Sequence, residues 1–329
     1  METKILGINE LKIAGKAINE GKLVVFPTET VYGLGANALD PKAVKKIFVA
    51  KGRPADNPLI VHVYDKSQIS KLVKDISKDG QILIDKFMPG PISLIFKKSD
   101  LIPIETTSGL KTVAIRIPSN EIALEFLKEC KVPVAAPSAN LSGSPSPTQF
   151  NHVLKDMNER VEYIIKGDNC EVGLESSVID TTKKPMLLLR PGGLKIEELK
   201  KYVDIEFHPS LKGESVDKPE SPGMKYKHYS PKAKVILFTS NNSDEEIKTY
   251  LLKSKDKVAV LTQNDKEFNS DIVISLGNSK EEIAKNLFDS LRECDNQEVD
   301  VILVQSVSDS GLGLAIMNRL RKAASEIRE

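Results

Sequence analysis

The stretch Asp40–Val63, DPKAVKKIFVAKGRPADNPLIVHV, joins a helix to a strand within one short run of sequence. Its first part, DPKAVKKIFVAKG, has apolar residues at helical spacing, and its last part, LIVHV, is an apolar run typical of a buried strand. The junction of the two parts, KGRPADNP, contains two cations, two prolines and an Asn. A helix that leads through a turn into a buried strand is a unit from which α/β domains are built.

The same alternation extends along the chain on both sides of this stretch. Upstream, the helical pattern NELKIAGKAINEGK precedes the strand-like run LVVFPT, and downstream a second helical pattern, NEIALEFLKEC, lies among further apolar runs. Those runs, all typical of strands, are ISLIF, VAIRIP, VPVAAPS, YIIKG, SSVID and MLLLR. The sequence therefore predicts an N-terminal α/β domain with a mixed sheet, over residues 1–208.

Periodicity is lost after Phe207. Residues 209–233 are rich in Pro, Gly and Ser and have little regular pattern, which predicts a linker. Beyond them the buried-type runs VILFTS, VAVLTQ, IVISLG and VDVILVQSV alternate with helical patterns. This predicts a smaller C-terminal domain, residues 234–329, with a Rossmann-like parallel sheet. No GxGxxG follows its first strand, so dinucleotide binding has little support there.

Composition narrows the class of function. The chain has 329 residues, enough for two domains, and its 47 Lys and Arg balance 46 Asp and Glu. Without an overall basic field, any site for a polyanion must be a local pocket. Cys130, Cys170 and Cys294 are far apart and form no metal-ligand pattern, which indicates reduced thiols. No apolar run approaches the roughly 18–20 residues that span a bilayer, so we expect a cytoplasmic protein without a membrane anchor.

The turn after the first quoted helix is a candidate phosphate site. Lys51 and Arg53 supply positive charge, Asn57 supplies an amide, and Pro54 and Pro58 stiffen the backbone between them. Such a turn can bind phosphate oxygens. The alternative is an ordinary solvated basic loop, because exposed Lys and Arg are common.

Two further segments carry hydroxyls and glycines. PTETVYGLGANA, residues 27–38, follows a strand, and its glycines would let the backbone approach a small polar substrate. Its alternative role is a strand-to-helix turn with capping hydroxyls. VAAPSANLSGSPSPT, residues 134–148, ends a strand in a Ser-rich loop that suits phosphate, or is simply a flexible loop.

Three strand segments add polar side chains. Arg116 lies within the apolar pattern TVAIRIP and would be costly to bury without an anionic partner, either a substrate carboxylate or an internal Asp or Glu. Ser176 lies in GLESSVID and Arg190 in LLRPGG. The chain contains neither GxSxG nor a GxxxxGK[ST] loop, so the sequence favours neither a serine hydrolase nor a P-loop enzyme.

Together these residues resemble a known family. Lys51 and Arg53 match a KxR signature and Ser138 and Asn140 match an SxN signature, so the chain resembles the Sua5/YrdC/YciO family in its two-domain Sua5 form. The likeness extends to PTETVYGLG, KGRPADNPLIVHV, APSANLSGSPSPT, GLESSVID, LRPGG, SPGMKYKHYSP and GLGLAIMNRLRKAAS, which together cover nearly the whole chain. One departure is Ser177, where the family pattern has Thr.

The resemblance implies a fold and a reaction. The fold is a twisted mixed sheet with a concave positive surface, followed by the smaller Rossmann-like domain. The reaction joins L-threonine, bicarbonate or CO2, and ATP to give threonylcarbamoyl-adenylate and pyrophosphate, with Mg2+ expected on the ATP phosphates and no metal-binding side chain. A tRNA threonylcarbamoyl transferase complex would receive the product and modify adenosine 37 of tRNAs that read codons starting with A.

The resemblance also assigns site residues by matching position. Those expected around threonine are Thr30, His62, Arg116, Ala136 through its backbone, and Ser176. Those expected to contact ATP are Arg53, Asn57, Thr112, Ser138, Ser146, Arg190 and Tyr229, with Lys51 and Asn140 completing the catalytic signature. The linker, with Lys225, Tyr226, Lys227, His228 and Tyr229, is expected to close over the site as a lid, or else to be a plain tether.

Two other functions remain open from the sequence. A concave basic surface could bind double-stranded RNA without catalysis, although the balanced charge argues against this as the main role and leaves only weak RNA binding. A carbamoyl-transfer domain of the kind found in hydrogenase maturation would share the fold. Such a domain ordinarily accompanies zinc-finger segments, for which the three cysteines offer no basis.

Overall fold

The computed structural model describes residues 1–212 and 229–329. In its N-terminal part the strands are β1 (Lys4–Leu6), β2 (Val24–Phe26), β3 (Gly33–Asn37), β4 (Ile60–His62), β5 (Ile92–Lys97), β6 (Thr112–Arg116), β7 (Val134–Ala135), β8 (Tyr163–Ile165), β9 (Ser177–Asp180), β10 (Met186–Arg190) and β11 (Ile205–Phe207). The helices are α1 (Leu11–Asn19), α2 (Pro41–Lys51), α3 (Ile69–Leu72), α4 (Lys78–Phe87), α5 (Ile104–Thr107), α6 (Glu121–Cys130), α7 (Phe150–Met157) and α8 (Ile196–Leu199).

The N-terminal strands form one large mixed sheet. Within the described residues its order is β1-β8-β2-β3-β7-β4-β6-β5-β9-β10-β11. Parallel pairs such as β4 with β6 alternate with antiparallel pairs such as β3 with β7 and β5 with β6. The mixed α/β sheet expected from the sequence is therefore confirmed.

The C-terminal part forms a second, smaller sheet. Its strands are β12 (Lys234–Phe238), β13 (Val258–Thr262), β14 (Ile272–Ser275), β15 (Val301–Gln305) and β16 (Glu326–Arg328), and its helices are α9 (Ser243–Lys253), α10 (Lys280–Asn296) and α11 (Leu312–Ala323). The order is β14-β13-β15-β12-β16, and every strand pairing is parallel. This confirms the Rossmann-like parallel domain. The limits 1–208, 209–233 and 234–329 stay predictions, and Lys225, Tyr226, Lys227 and His228 of the expected lid lie outside the described residues.

Helix α2 follows directly from its local sequence. Asp40 caps its start by accepting a hydrogen bond from the backbone N–H of Lys42, and Pro41 occupies its first position, where a missing N–H costs nothing. Gly52 ends it in the left-handed conformation, at φ +61°. Lys51 is consequently the last residue of the helix rather than part of the following turn.

One expectation about the strands was wrong. Residues 33–37, taken from the sequence as part of a ligand-binding loop, form the central strand β3 between β2 and β7. Glycine is favoured here by close packing: a Cβ on Gly35 would lie 2.9 Å from a methyl group of Val134 and 3.1 Å from the carbonyl oxygen of Val24. Only residues 27–32 remain as the turn that precedes the strand.

The main hydrophobic core lies between the large sheet and its helices. Its buried side chains include Leu34 of β3, Ile47 of α2, Val61 of β4 and Ile115 of β6. His62 and Arg116, the polar residues at the ends of β4 and β6, therefore lie on strands whose apolar residues are packed in this core. All three cysteines are buried and unpaired, in agreement with reduced thiols.

Candidate active site

A concave pocket of about 750 Å3, including its open mouth, lies over the middle strands of the large sheet. Most of the site residues expected from the sequence line it, on strands and loops that are far apart in the chain. They are Lys51, Arg53, His62, Arg116, Ala136, Ser138, Asn140, Ser146, Ser176, Arg190 and Tyr229. The tertiary structure thus brings both the expected threonine-binding and the expected ATP-binding residues to one place.

Three expected residues do not line the pocket directly. Thr30 is fully buried, with its hydroxyl 2.9 Å from that of Thr28, which does line the pocket. Thr112 begins β6, opposite Lys97 of β5, and is half-buried. Asn57 is fully buried, and within the described residues neither its Nδ2 nor its Oδ1 has a hydrogen-bond partner. A buried amide without partners is costly, so a ligand or water that bonded it would be stabilising.

Lys51 is anchored beneath the SxN turn. Its side chain is buried, and Nζ donates hydrogen bonds to the carbonyl oxygens of Ser138 at 2.5 Å and Asn140 at 2.7 Å, with Oδ1 of Asn140 at 3.4 Å. Burial, with the nearby charge of Arg53, holds the pKa of Lys51 well below its ordinary value. Because an ammonium group has three donors, this geometry favours an anchoring role over the direct phosphate contact expected from the sequence.

The SxN turn is itself a closed network. The hydroxyl of Ser138 donates to Oδ1 of Asn140 at 2.5 Å, and Nδ2 of Asn140 donates to the carbonyl oxygen of Ser144 at 2.9 Å. The backbone N–H of Ser142 donates to the carbonyl oxygen of Lys51 at 3.0 Å. The Ser-rich segment is therefore an ordered loop whose backbone is bonded to the end of α2, rather than the flexible loop left open by the sequence.

His62 and Arg116 occupy equivalent positions on adjacent strands. They are register partners at the ends of the parallel strands β4 and β6. Burial, reinforced by the charge of Arg116, lowers the pKa of His62 to about 3, so its imidazole is neutral at physiological pH. Nδ1 of His62 lies 3.1 Å from the carbonyl oxygen of Ile60. Arg116 thus supplies positive charge to this half of the pocket, beside an uncharged ring.

The partner of Arg116 is an internal carboxylate. Nη2 of Arg116 lies 2.7 Å from Oε1 of Glu29, and both side chains are almost completely buried. Within the described residues, however, neither oxygen of Glu29 and neither Nε nor Nη2 of Arg116 is in hydrogen-bonding geometry. The pair therefore balances charge through proximity, while the buried Nε and Nη2 of the guanidinium keep unused hydrogen-bonding capacity.

The opposite half of the pocket contains hydroxyls and a second arginine, and Ser176, expected from the sequence around threonine, is bonded to that arginine. Nε and Nη2 of Arg190 donate to the carbonyl oxygen of Ser176 at 3.1 and 2.9 Å, and the Ser176 hydroxyl lies 2.8 Å from that of Ser93. The hydroxyl of Ser146 donates to Oε1 of Glu175 at 2.6 Å. Burial lowers the pKa of Arg190, which nevertheless stays charged at neutral pH.

Tyr229 closes this half from the C-terminal side. Its ring stacks on that of Phe288 in α10, with centroids 5.3 Å apart, and its backbone has a positive φ of 65°. The next residue, Ser230, donates its N–H to the carbonyl oxygen of Gly143 in the Ser-rich loop at 2.9 Å. Burial raises the pKa of Tyr229, so its phenol stays protonated.

Known families account for both parts of the chain. A family model described as "Telomere recombination", Sua5_yciO_yrdC, matches residues 16–192. The chain belongs to the Sua5/YrdC/YciO family. A second model, described as "Threonylcarbamoyl-AMP synthase, C-terminal domain", matches residues 194–325, so this family member has the two-domain Sua5 form.

Relatives in the family match along almost the full length. The threonylcarbamoyl-AMP synthase of Pyrococcus abyssi is 50% identical over 321 residues, which cover 96% of this chain and 94% of the relative. That of Bacillus subtilis is 43% identical over 333 residues, which cover 98% and 95%. The crystal structure of P. abyssi Sua5 complexed with L-threonine superposes with a TM-score of 0.95 at 48% identity and covers 99% of each chain.

Sequence analysis of this Sua5/YrdC/YciO member missed two buried acids. Glu29 pairs with Arg116, and Glu175 accepts from Ser146 and pairs with Arg319 of α11. Burial raises the pKa of Glu175, but the charges of Arg319 and Arg190 outweigh burial and lower it to about 2. Both acids lie inside quoted motifs, PTETV and GLESS, and the cost of burying Arg116 had already required a partner for it.

Neither a metal-binding cluster nor a membrane-spanning helix is found in the part of this family member that the structure describes. Among residues 1–212 and 229–329, no group of three or more His, Cys, Asp or Glu side chains is arranged to hold a metal ion. Within the same residues, every helix is too short or too polar to cross a bilayer. The described lining of the pocket offers cations, hydroxyls and an amide for binding and chemistry.

Proposed function

We propose that this protein is an L-threonylcarbamoyladenylate synthase, which joins L-threonine, bicarbonate or CO2, and ATP to give threonylcarbamoyl-adenylate and pyrophosphate. The observation that carries the proposal is one pocket with two chemically distinct halves. Arg116 and neutral His62 lie in one half, and the Ser-rich loop, Arg190 and Tyr229 lie in the other. The full-length relatives named threonylcarbamoyl-AMP synthase support it.

The first half suits an amino acid. The positive charge of Arg116, which lines the pocket, suits a carboxylate, and Glu29 beside it can attract the ammonium group before that group loses its proton. Ala136 brings a backbone to the pocket, and its N–H is already bonded to the carbonyl oxygen of Ile60, which leaves its carbonyl as an acceptor. A Sua5 structure from P. abyssi complexed with L-threonine supports this assignment.

The second half suits a nucleotide. Ser138 and Ser146 present hydroxyls, Arg53 and Arg190 supply positive charge, and the aromatic ring of Tyr229 offers an apolar face. The unpartnered amide of Asn57 agrees with a further polar contact behind Arg53, whose Nη2 donates to the Asn57 carbonyl oxygen at 3.2 Å. We assign this half to ATP.

The reaction then needs positioning rather than a covalent enzyme intermediate. The neutral amine of threonine forms a C–N bond with CO2 and loses a proton, which gives a carbamate. A carbamate oxygen bonds to the α-phosphorus of ATP while the bond from that phosphorus to the bridging oxygen breaks and pyrophosphate leaves. Since both reactants are anions, fixed cations between them lower the repulsion, and holding both in place contributes up to roughly 7–11 kcal/mol in well-oriented cases.

Mg2+ enters this proposal as part of the ATP substrate. Glu175, the carboxylate among the described lining residues, is paired with Arg319 and accepts from Ser146, so it is not free to coordinate a cation. Mg2+ commonly binds through substrate phosphates, where it would neutralise part of the triphosphate charge. We assign no side chain of this chain as a metal ligand, and we expect the reaction in the cytoplasm, with the product passed to a tRNA-modifying transferase complex.

The test is direct product detection. The purified chain is incubated with ATP, Mg2+, bicarbonate and labelled L-threonine, and the mixture is analysed for threonylcarbamoyl-adenylate and pyrophosphate, with L-serine as the control substrate. We expect threonine-dependent pyrophosphate in equal amount to the adduct. ATP hydrolysis without an adduct, or RNA binding without any turnover, would refute the synthase assignment.

A further inference from the structure

Two buried arginines of the C-terminal domain reach the loops that form the pocket. Arg292 of α10 donates from Nη2 to Oδ2 of Asp156 and to the carbonyl oxygen of Pro145, both at 2.6 Å. Arg319 of α11, which is 0% exposed, donates from Nε to Oε2 of Glu175 at 2.9 Å. Each arginine thus crosses from the second domain to a carboxylate of the first.

Arg319 acts on the nucleotide half through Glu175. The other oxygen of Glu175 accepts the hydrogen bond from Ser146 in the Ser-rich loop. With one oxygen on Arg319 and the other on Ser146, the carboxylate is fixed between the two domains. Because Glu175 is also buried, its charge is compensated by Arg319 together with Arg190, and loss of the direct bond to Arg319 would free the carboxylate to move and Ser146 with it.

Arg319 has two more contacts in the same half. Nη1 donates to the carbonyl oxygen of Pro191 at 2.6 Å, directly after Arg190 in the chain. Its guanidinium carbon lies 5.5 Å from the ring centre of Tyr229, within the range of a cation–π interaction. Tyr229, together with Ser146 and Arg190 next to the other contacts, makes three of the seven residues assigned to ATP from the family resemblance.

Val31, next to Thr30 in the threonine half, packs in the core of the C-terminal domain, but the two polar residues at the ends of β4 and β6 are bonded elsewhere. His62 and Arg116 are held by the strand pairing of β4 and β6 and by Glu29, all within the N-terminal sheet. The polar contacts recorded for the Arg319 side chain are with Glu175, Pro191 and its own neighbour Asn318. Through Arg319, the second domain therefore contacts Glu175 and Pro191 rather than His62 or Arg116.

We propose that Arg319 is a positioning residue for the nucleotide: it holds Ser146, Arg190 and Tyr229 in their binding arrangement while threonine binding is independent of it. This inference rests on the proposed function, because it takes the Ser-rich half of the pocket as the ATP subsite. It gives the C-terminal domain a specific role in substrate binding.

The test compares the binding of two ligands to one variant. Calorimetric titrations of the full chain with a non-hydrolysable ATP analogue and, separately, with L-threonine are performed for the unchanged protein, Arg319→Met and Arg319→Lys. We expect Arg319→Met to bind the analogue about tenfold more weakly and threonine within about twofold of the unchanged protein. Arg319→Lys should be intermediate, because an ammonium can pair with Glu175 but cannot hold Pro191 through a rigid fork.

Arg321→Met is the matched control. Arg321 lies on the same helix and pairs with Asp309 at 2.7 Å, but both side chains are about half exposed and do not line the pocket. It should bind both ligands normally. Should Arg319→Met fail to fold, the double variant Glu175→Gln/Arg319→Met, which removes both charges of this pair, is measured in its place against Glu175→Gln alone and should show the same selective loss.

The outcomes separate the two proposals. Normal binding of the ATP analogue by the folded Arg319 variant overturns the inference, as does an equal loss of analogue and threonine, which would mean general damage. If the unchanged protein binds threonine but no nucleotide, the proposed function itself fails. That result is seen before any variant is compared.

Discussion

His62 of β4 and Arg116 of β6 are register partners on parallel strands, so their side chains lie next to each other on the sheet at one end of the pocket. The charge of Arg116 helps to keep His62 neutral, and Glu29 in turn compensates the charge of Arg116. The pairing of β4 with β6 therefore places a charged Arg116 beside a neutral His62 at this end of the pocket. The predictions below begin from this pair.

Arg116 should govern threonine binding. In Arg116→Lys the charge is kept, but the guanidinium edge that suits a carboxylate is lost, so we expect the KM for threonine to rise about tenfold or more while the KM for ATP changes little. Steady-state kinetics with each substrate varied in turn measures both. Arg160→Met, a change at an exposed arginine, is the control. Equal increases in both KM values would contradict the assignment.

Removal of the Lys51 ammonium should reduce both stability and activity. Lys51→Met leaves the carbonyl oxygens of Ser138 and Asn140 without their donor, which costs about 1–3 kcal/mol of unfolding free energy for an unsatisfied buried group. Urea denaturation and initial rates measure the two effects. Lys42→Met, on an exposed position of the same helix, should change neither. Full stability together with lost activity would instead indicate that Lys51 contacts phosphate directly.

Unlike Lys51, Asn57 should matter for ATP binding and not for stability. Its amide groups make no hydrogen bonds within the described residues, so Asn57→Leu, of similar size, should leave the free energy of unfolding unchanged or slightly higher. The KM for ATP should rise several-fold because a polar contact to the nucleotide is lost. Thermal unfolding with and without an ATP analogue tests this. A variant that is unstable but binds the analogue normally would show that the amide is structural.

His62 should make stability depend on pH in a defined interval. Folding lowers its pKa from 6.5 to about 3, so between these values the unfolded chain binds more protons, and the stability from neutral His62 is lost as pH falls from 6.5 towards 3. Glu175, lowered from 4.5 to about 2, adds a similar loss only below pH 4.5. Between pH 4.5 and 6.5 His62 therefore contributes a slope of up to about 1.4 kcal/mol per pH unit.

Urea titrations at several pH values measure that slope. His62→Gln, which cannot take up a proton, should have a flatter profile than the unchanged protein from pH 6.5 down to about 3 and a parallel one only below about pH 3. Identical slopes in both proteins above pH 4.5 would mean that His62 titrates normally when folded.

Local sequence was sufficient where a feature depends on neighbours in the chain. The limits of α2 follow from Asp40, Pro41 and Gly52, and the parallel C-terminal sheet follows from short buried runs that alternate with helices. The strand β3 could not be predicted in this way, because GLGAN has the composition of a turn and becomes a strand only between β2 and β7. Likewise β16, which follows α11 at only three residues in length, is a strand because it pairs with β12.

By itself the sequence determined the two-domain α/β class, the family signature and most of the residues that line the pocket, because periodicity and residue type are properties of the chain. Only the tertiary structure decided which partners those residues have. Glu29 meets Arg116, Glu175 meets Arg319 and Lys51 lies under the SxN turn through contacts between distant segments. Charge compensation in a buried site depends on distances of a few ångströms, and these exist only after the sheet and both domains have packed.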